Sequence, residues 1–226
     1  MKINYTKHLK IAIVLLLAFA ANFAKAQCVA SFTYSVGANG LVTFSSTSGG
    51  VSPSTSYTWA FGSQAAPTAT GGINMTNVNT TYAANGTYTV LLNNDKIDVI
   101  DYTKYDFGVF KTHYHSVAKI QVGDSVKETI ASNENGITIK NIPGSENEIK
   151  LQVLYKNKPL PNNELKIFVA DLWSKTLETD ENGMVTFKLP WKTKYIVETT
   201  VKEEVPGKYN GKDYEFTWHC VTYTIL

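Results

Sequence analysis

Apolar and polar residues alternate along most of the chain after residue 26, with the period of two that marks a half-buried β-strand. The clearest run is 56–62, in which Tyr57, Trp59 and Phe61 alternate with polar or small residues. The three-to-four spacing of an amphipathic helix is missing from these runs. Turn-forming residues separate them, as at Ala38-Asn-Gly, where Gly supplies positive φ. The pattern therefore predicts an all-β protein.

The predicted strands form two groups, each sized for one β-sandwich. The first group covers 30–34, 41–45, 56–62 and 85–92, with a predicted core of Phe32, Phe44, Trp59, Phe61 and Tyr88. The second group covers 109–122, 136–142, 148–155, 165–172, 184–189, 195–202 and 214–225. We predict two consecutive sandwich domains, the first immunoglobulin-like and the second prealbumin-like.

Composition divides the chain at the same place. Residues 27–94 contain no Asp, Glu, Lys or Arg and are dominated by Ser, Thr, Gly and Asn, whereas charged residues are frequent from Asp95 onward. The strand patterns argue against a disordered linker before this change. We predict one domain over 27–94, a junction over 95–110 and a charged domain over 111–226.

The amino-terminal residues 1–26 have the pattern of a cleaved secretory signal. Three lysines precede an apolar run over 11–21, and the small residues of Ala24-Lys-Ala follow, so that Gln27 begins the mature chain. A membrane anchor is the alternative, but it needs about 20 apolar residues and this run is shorter. The pattern predicts export to the periplasm or outer surface of a Gram-negative bacterium.

Removing this leader changes the charge of the protein. The net charge is +2, and the leader holds four lysines and no acidic residue, which leaves the mature chain near −2. The chain contains no arginine, the residue that most often clamps phosphate. Nucleic acid is therefore not expected as a partner. No second long apolar run occurs, so no membrane span is expected in the mature chain.

Residues 29–94 contain the segments ASFTYSVGANGLVTFSSTS, SYTWAFG and TYAANGTYTVLL. Through these segments this part of the chain resembles a polycystic-kidney-disease (PKD) domain. The family's W-D-F-G-D-G segment is WAFGSQ here, so Ala60 and Ser63 replace its two acids, and contacts that need those acids are not expected. The resemblance implies an immunoglobulin-like spacer or interaction module that binds protein or carbohydrate at the cell surface.

Residues 111–226 contain the segments HYHSVAKIQVGD, IKLQVLYKNKPLPNNELKIF, TLETDENGMVTFKLP, KYIVETTVKE and YEFTWHCVTYTI. Through these segments this part of the chain resembles a bacterial periplasmic family of unknown function, once labelled a component of cobalt and nickel transport. It implies an accessory role in nickel or cobalt handling, with a membrane transporter as partner. The family's own amino-terminal domain, with its leading histidine, is replaced here by the PKD-like unit.

Three histidines follow the leader, and they are the candidate metal ligands. His113 and His115 are two residues apart, so in a strand they project to one face and can share an ion. Neutral imidazole suits nickel, cobalt, copper and zinc, and His219 completes the set if its strand lies nearby. Cys220 is adjacent to His219 and should face the other way. The alternative is a solvated His-x-His pair with no ligand.

The two cysteines allow one disulfide, Cys28 to Cys220, in an oxidising compartment. It would tie the mature amino terminus to the last strand. The residue environments favour the alternative, in which Cys220 is a buried thiol within its strand and Cys28 lies apart from it.

No enzyme motif supports a catalytic role. The sequence has no nucleophile elbow, His-Glu-x-x-His zinc motif or Gly-rich phosphate loop. Asp98, Asp101 and Asp106 lie in an aromatic stretch that suits a domain junction better than acid–base chemistry. We expect a non-catalytic binding protein. Transition-metal handling and cell-surface adhesion are the two function classes that remain.

Overall fold

The structure is a computed structural model that describes residues 30–49, 51, 53–95, 98–124, 128–129, 133–143, 148–169 and 172–225. The first ten strands are β1 (Phe32–Val36), β2 (Leu41–Ser46), β3 (Ser56–Ala60), β4 (Ala65–Ala66), β5 (Ala69–Ile73), β6 (Asn77–Tyr82), β7 (Gly86–Asp95), β8 (Val99–Asp101), β9 (Val109–Val122) and β10 (Glu128–Thr129). The remaining strands are β11 (Ile137–Ile142), β12 (Ile149–Tyr155), β13 (Lys158–Pro159), β14 (Glu164–Val169), β15 (Trp173–Glu178), β16 (Met184–Phe187), β17 (Tyr195–Glu203), β18 (Gly207–Tyr209), β19 (Lys212–Tyr214) and β20 (Phe216–Ile225).

One large sheet, here called the central sheet, runs through the molecule. Its strand order is β15-β14-β17-β20-β9-β7-β3-β5, with β8 paired to β9 and β10 paired to β7. A first cover sheet has the order β1-β2-β6-β4, and a second cover sheet consists of β11, β12, β13 and β16. Strands β18 and β19 form a separate two-stranded ribbon. Two sandwiches therefore share one central sheet.

The two cover sheets pack on opposite faces of the central sheet. Val90 and Ile120 belong to a core shared with β2, β3 and β6, whereas Leu91 and Val117 belong to a core shared with β11, β12, β14 and β17. Neighbouring residues of a strand project to opposite faces, so β7 and β9 contribute to both cores through alternate positions. This explains why the adjacent residues Val90 and Leu91 of β7 are both buried.

The all-β sandwich fold predicted from the alternation is confirmed. Strand β9 has the predicted bounds, and Phe44, Trp59, Phe61 and Tyr88 are buried as expected, with Phe32 half-buried against them. Strands β5, β6 and β15 were not predicted. β5 and β15 face solvent over much of their length, whereas β6 alternates exposed Asn77 and Asn79 with buried Val78 and Thr80.

The division of the chain at residue 94 stays a prediction, and hydrogen bonding is continuous across it. Strand β7 ends at Asp95 and pairs with β9, from Gly86↔Val122 to Asn94↔Tyr114. The predicted leader, residues 1–26, lies outside the described residues. Within the described ranges, no helix is long and apolar enough to cross a membrane.

Candidate metal centre

His113, His115 and His219 come together on one face of the central sheet and are called here the three-histidine cluster. Strands β9 and β20 pair in parallel, with His219 directly opposite His113. His115 is two residues further along β9, so it projects to the same face. One ligand atom from each of the three side chains lies within 4.8 Å of the others.

The cluster lies between the central sheet and the second cover sheet. His115 and His219 are 0% and 2% exposed, and His113 is half-buried. The His113 ring centroid lies 4.3 Å from that of His115 and 5.0 Å from that of His219. The predicted site residues are therefore adjacent in the fold, and the interpretation of His113 and His115 as a solvated pair does not fit this burial.

The side-chain amide of Asn93 orients His115. Asn93 is opposite His115 in the β7–β9 register, and its Oδ1 lies 2.6 Å from His115 Nδ1. A contact this short pairs an acceptor oxygen with an N–H donor, which places the ring proton on Nδ1. Asn133 Nδ2 donates to the same Oδ1 at 3.3 Å, and its 2.9 Å approach to the protonated His115 Nδ1 is then a contact between two donors rather than a hydrogen bond. The lone pair of His115 is then on Nε2, which is buried and has no hydrogen-bond partner in the described part of the chain.

A carboxylate orients His219 in the same way. Glu203 Oε2 lies 2.9 Å from His219 Nε2, and the Tyr155 hydroxyl lies 3.2 Å from that nitrogen. Because a carboxylate only accepts, Nε2 carries the proton and Nδ1 carries the lone pair. Nδ1 is buried and lacks a hydrogen-bond partner among the described residues.

Charges around Glu203 keep it ionised. Burial raises the pKa of the Glu203 carboxyl, but hydrogen bonds from Lys156, His219 and Tyr155 outweigh burial and lower this pKa to about 2. Lys156 forms an ion pair with Glu203, and its side chain is 44% exposed. Lys156, directly after β12, and Glu203, in β17, therefore pair between the two facing sheets beside the cluster.

Burial also keeps the imidazoles of His115 and His219 neutral. Desolvation lowers the pKa of His219 to about 4, with Glu203 opposing the shift and His113 adding to it. Desolvation, followed by the neighbouring His113 and His219 rings, holds the pKa of His115 well below its usual range. At neutral pH both rings have the uncharged form that binds metal ions.

A glycine provides the space beside the His115 lone pair. A Cβ built on Gly136 would lie 2.6 Å from His115 Nε2 and 2.5 Å from Asn133 Nδ2, so no larger residue fits there without displacing the ring. Three imidazole side chains are a suitable donor set for a borderline transition-metal ion. Hydrogen bonds assign the lone pair in two of them, His115 and His219. In tetrahedral zinc sites the ligand nitrogens are about 3.4 Å apart, so binding would draw these rings together.

Cys220 is not part of the cluster. It is fully buried with Ala30 and Tyr114 on the opposite face of the central sheet, as expected for a neighbour of His219 in a strand. Cys220 is disulfide-bonded, and no free cysteine occurs among the described residues, so the expectation that Cys220 is a buried free thiol is wrong. Cys28 lies outside the described residues, so the Cys28–Cys220 pairing stays a prediction.

Comparisons with known proteins add little. No protein-family model matches the chain, and a comparison with curated proteins gives no match. Among solved structures, the chain is similar to the D0-D1 domain of intimin (12% identity, 85% of this chain and 97% of that one, TM-score 0.26). It is also similar to a two-domain fibronectin type-III segment of chicken tenascin (12%, 86% and 97%, 0.24) and to the FN1-FN3 domains of chicken CNTN1 (11%, 85% and 65%, 0.23). At TM-scores this low, these similarities support no conclusion about fold or function.

Four side chains around the cluster were not identified from the sequence, namely Asn93, Asn133, Tyr155 and Glu203. Asn93 lies in the uncharged segment 27–94, where asparagine is common, so the sequence does not distinguish it. Glu203 is only the last residue of the segment KYIVETTVKE, and its sequence neighbours give it no assigned role. Glu203 is two residues from Val201, so the two side chains project from β17 to the same face. Val201 is opposite His219, which places Glu203 on the face that carries the cluster.

Proposed function

We propose that this chain is an exported, non-catalytic protein that binds a divalent transition-metal ion in the three-histidine cluster. One observation carries the proposal: the buried lone pairs of His115 Nε2 and His219 Nδ1 lie in a cluster whose donor atoms are within 4.8 Å of one another. A buried polar atom with no hydrogen bond costs roughly 1–3 kcal/mol, and a bound cation would offset that cost.

Nickel, cobalt and zinc are the proposed ions. The cluster supplies imidazole nitrogen alone, since Cys220 faces away and Glu203 is occupied by Lys156 and His219. Such ligands suit borderline ions better than magnesium or calcium, which prefer oxygen. Residues 111–226 resemble a periplasmic family of unknown function that was once labelled a component of cobalt and nickel transport, and this resemblance supports an accessory role in metal handling beside a membrane transporter.

The leader pattern supports export to the periplasm or the outer cell surface. A disulfide at Cys220 fits the same compartment, because disulfides persist outside the reducing cytoplasm.

Calorimetric titration of the mature protein with nickel and with zinc tests the proposal. The wild type is expected to bind one ion per chain, and His113→Ala/His115→Ala is expected to lose this binding. Equal binding by the double variant and the wild type would refute the proposal, as would no binding by the wild type.

Folding of the variants is checked separately. His115 is fully buried, so its removal lowers stability as well as metal affinity. The single variant His113→Ala alters a half-buried residue and is the milder test. Circular dichroism and urea unfolding of both variants without metal establish whether a loss of binding occurs in a folded protein.

A second candidate function is adhesion through the charge-free amino-terminal sandwich. The observation that favours it is a group of exposed apolar side chains on the β1–β2 hairpin, Tyr34, Val36 and Leu41. Exposed apolar groups beside polar strands are typical of interaction surfaces. Binding of the mature protein to immobilised polysaccharides would be reduced in Tyr34→Ser/Leu41→Ser and unchanged in the control Val205→Ser. Equal binding by all three proteins rejects this surface.

A further inference from the structure

We infer that Glu203 is a positioning residue of the three-histidine cluster, which directs the Nδ1 lone pair of His219 towards the other two histidines. The inference rests on the proposed metal-binding function and adds a residue and a coordination mode to it. Glu203 lies at the end of β17 and is opposite Thr217 in the pairing with β20. Thr217 is two residues from His219, so both side chains project to the same face.

The hydrogen bond from His219 to Glu203 fixes the ring in one tautomer. The 2.9 Å contact joins Nε2 to a carboxylate oxygen that cannot donate. Nδ1 is therefore the only nitrogen of His219 that can bind a cation. Histidine ligands in metal sites commonly donate their second ring nitrogen to a carboxylate, which orients the ring and increases its basicity.

Glu203 is itself held from the opposite sheet. Lys156 forms an ion pair with its Oε1, and the other carboxylate oxygen accepts from His219. Lys156 has a left-handed backbone (φ 49°) in the turn that follows β12, and its backbone N–H donates to the Gly136 carbonyl at 2.9 Å. The turn thus fixes the lysine, the lysine fixes the carboxylate, and the carboxylate fixes the ring.

Glu203 is not itself placed as a metal ligand. Its carboxylate is on the Nε2 side of the His219 ring, whereas the free lone pair is on Nδ1 and the two nitrogens point in diverging directions. Both carboxylate oxygens already have partners. Direct coordination would require the loss of the contacts to Lys156 and His219.

The variant Glu203→Gln tests the inference, with Glu204→Gln as a matched control. Glu204 is the next residue, pairs with Lys202 and has a side chain that is 69% exposed, so its substitution makes the same charge change away from the cluster. Zinc and nickel titrations should show affinity about 10- to 100-fold weaker in Glu203→Gln, as for other outer-sphere partners of metal-bound histidine. Glu204→Gln should bind as the wild type does. Equal affinity in all three proteins overturns the inference.

The tautomer of His219 gives a second readout that needs neither metal nor a folded variant. Long-range ¹H–¹⁵N spectra of the metal-free wild type, labelled at histidine, should show a protonated Nε2 and an unprotonated Nδ1 for His219. A protonated Nδ1 overturns the inference even if the cluster binds metal. If His219→Ala binds zinc as tightly as the wild type, the proposed function fails instead, whatever the tautomer.

Discussion

Replacing Gly136 with alanine should displace the His115 ring and so prevent metal binding at the three-histidine cluster. The new Cβ would lie 2.6 Å from His115 Nε2 and 2.7 Å from Cε1, closer than real Cβ contacts allow. The imidazole must move, and its Nδ1 contact to Asn93 at 2.6 Å must lengthen or break. Gly136 is buried and takes no positive φ in the structure, so the effect comes from crowding rather than backbone strain.

The expected magnitudes follow from that overlap. Extra methylene groups in a packed core typically cost about 1–3 kcal/mol of unfolding free energy, and we expect Gly136→Ala to fall in this range. Zinc affinity should also fall, and by more than the loss of stability alone explains, because the displaced atom is His115 Nε2, whose lone pair is proposed to bind the ion. The matched control is Gly72→Ala in β5, where the added Cβ would have Met75 Cε at 3.5 Å as its nearest neighbour, an ordinary contact.

Urea unfolding without metal measures the first effect, and calorimetric titration with zinc measures the second. Gly136→Ala should be less stable than Gly72→Ala and should bind zinc more weakly. The reasoning is refuted if Gly136→Ala keeps wild-type zinc affinity, because the space beside Nε2 would then have no part in binding.

Three further outcomes are expected. Zinc at a hundredfold excess over its Kd should stabilise the fold by about 2.7 kcal/mol, which raises Tm by roughly 5–11 °C. Chelation should reverse this shift, and an unchanged Tm would contradict zinc binding to the folded state. Acidification should destabilise the metal-free protein between pH 6.5 and 4, because the unfolded chain binds a proton on His219 at its ordinary pKa while the folded chain binds it only near pH 4. The loss is about 3 kcal/mol and should shrink in His219→Gln; an equal pH dependence in both proteins would exclude His219 as its source. Trp59→Ala, at a fully buried position, should cost about 3–5 kcal/mol in urea unfolding, and a smaller effect than 1 kcal/mol would place Trp59 outside the core.

Local patterns were sufficient for much of the fold. The bounds of β9 and the burial of Phe44, Trp59 and Phe61 follow from alternation alone. The same alternation places His113 and His115 on one face and turns Cys220 away from His219. These features depend only on the alternation of side chains along a single strand, and that alternation can be read from the sequence.

Local patterns did not predict which strands that are distant in the sequence pair with one another. His219 is opposite His113 only because β20 pairs in parallel with β9, and no residue near either strand specifies that partner. Glu203 and Asn133 reach the cluster through the same kind of non-local contact, from β17 and from the segment before β11. The central sheet that runs through both predicted domains was missed for this reason, since the composition change at residue 94 says nothing about hydrogen bonding.

The parallel pairing of β9 with β20 also links metal binding to folding. His115 and His219 are about a hundred residues apart in the sequence, so the unfolded chain does not hold them together. An ion that binds the cluster therefore binds the folded state in preference, and its binding free energy adds to the stability of the sheet. Gly136→Ala, zinc stabilisation and acid sensitivity then probe the same pair of buried nitrogens. Gly136→Ala blocks one nitrogen sterically, and acid protonates the rings. If zinc stabilisation is lost under both conditions, the zinc that stabilises the fold is bound at the cluster and not elsewhere on the surface.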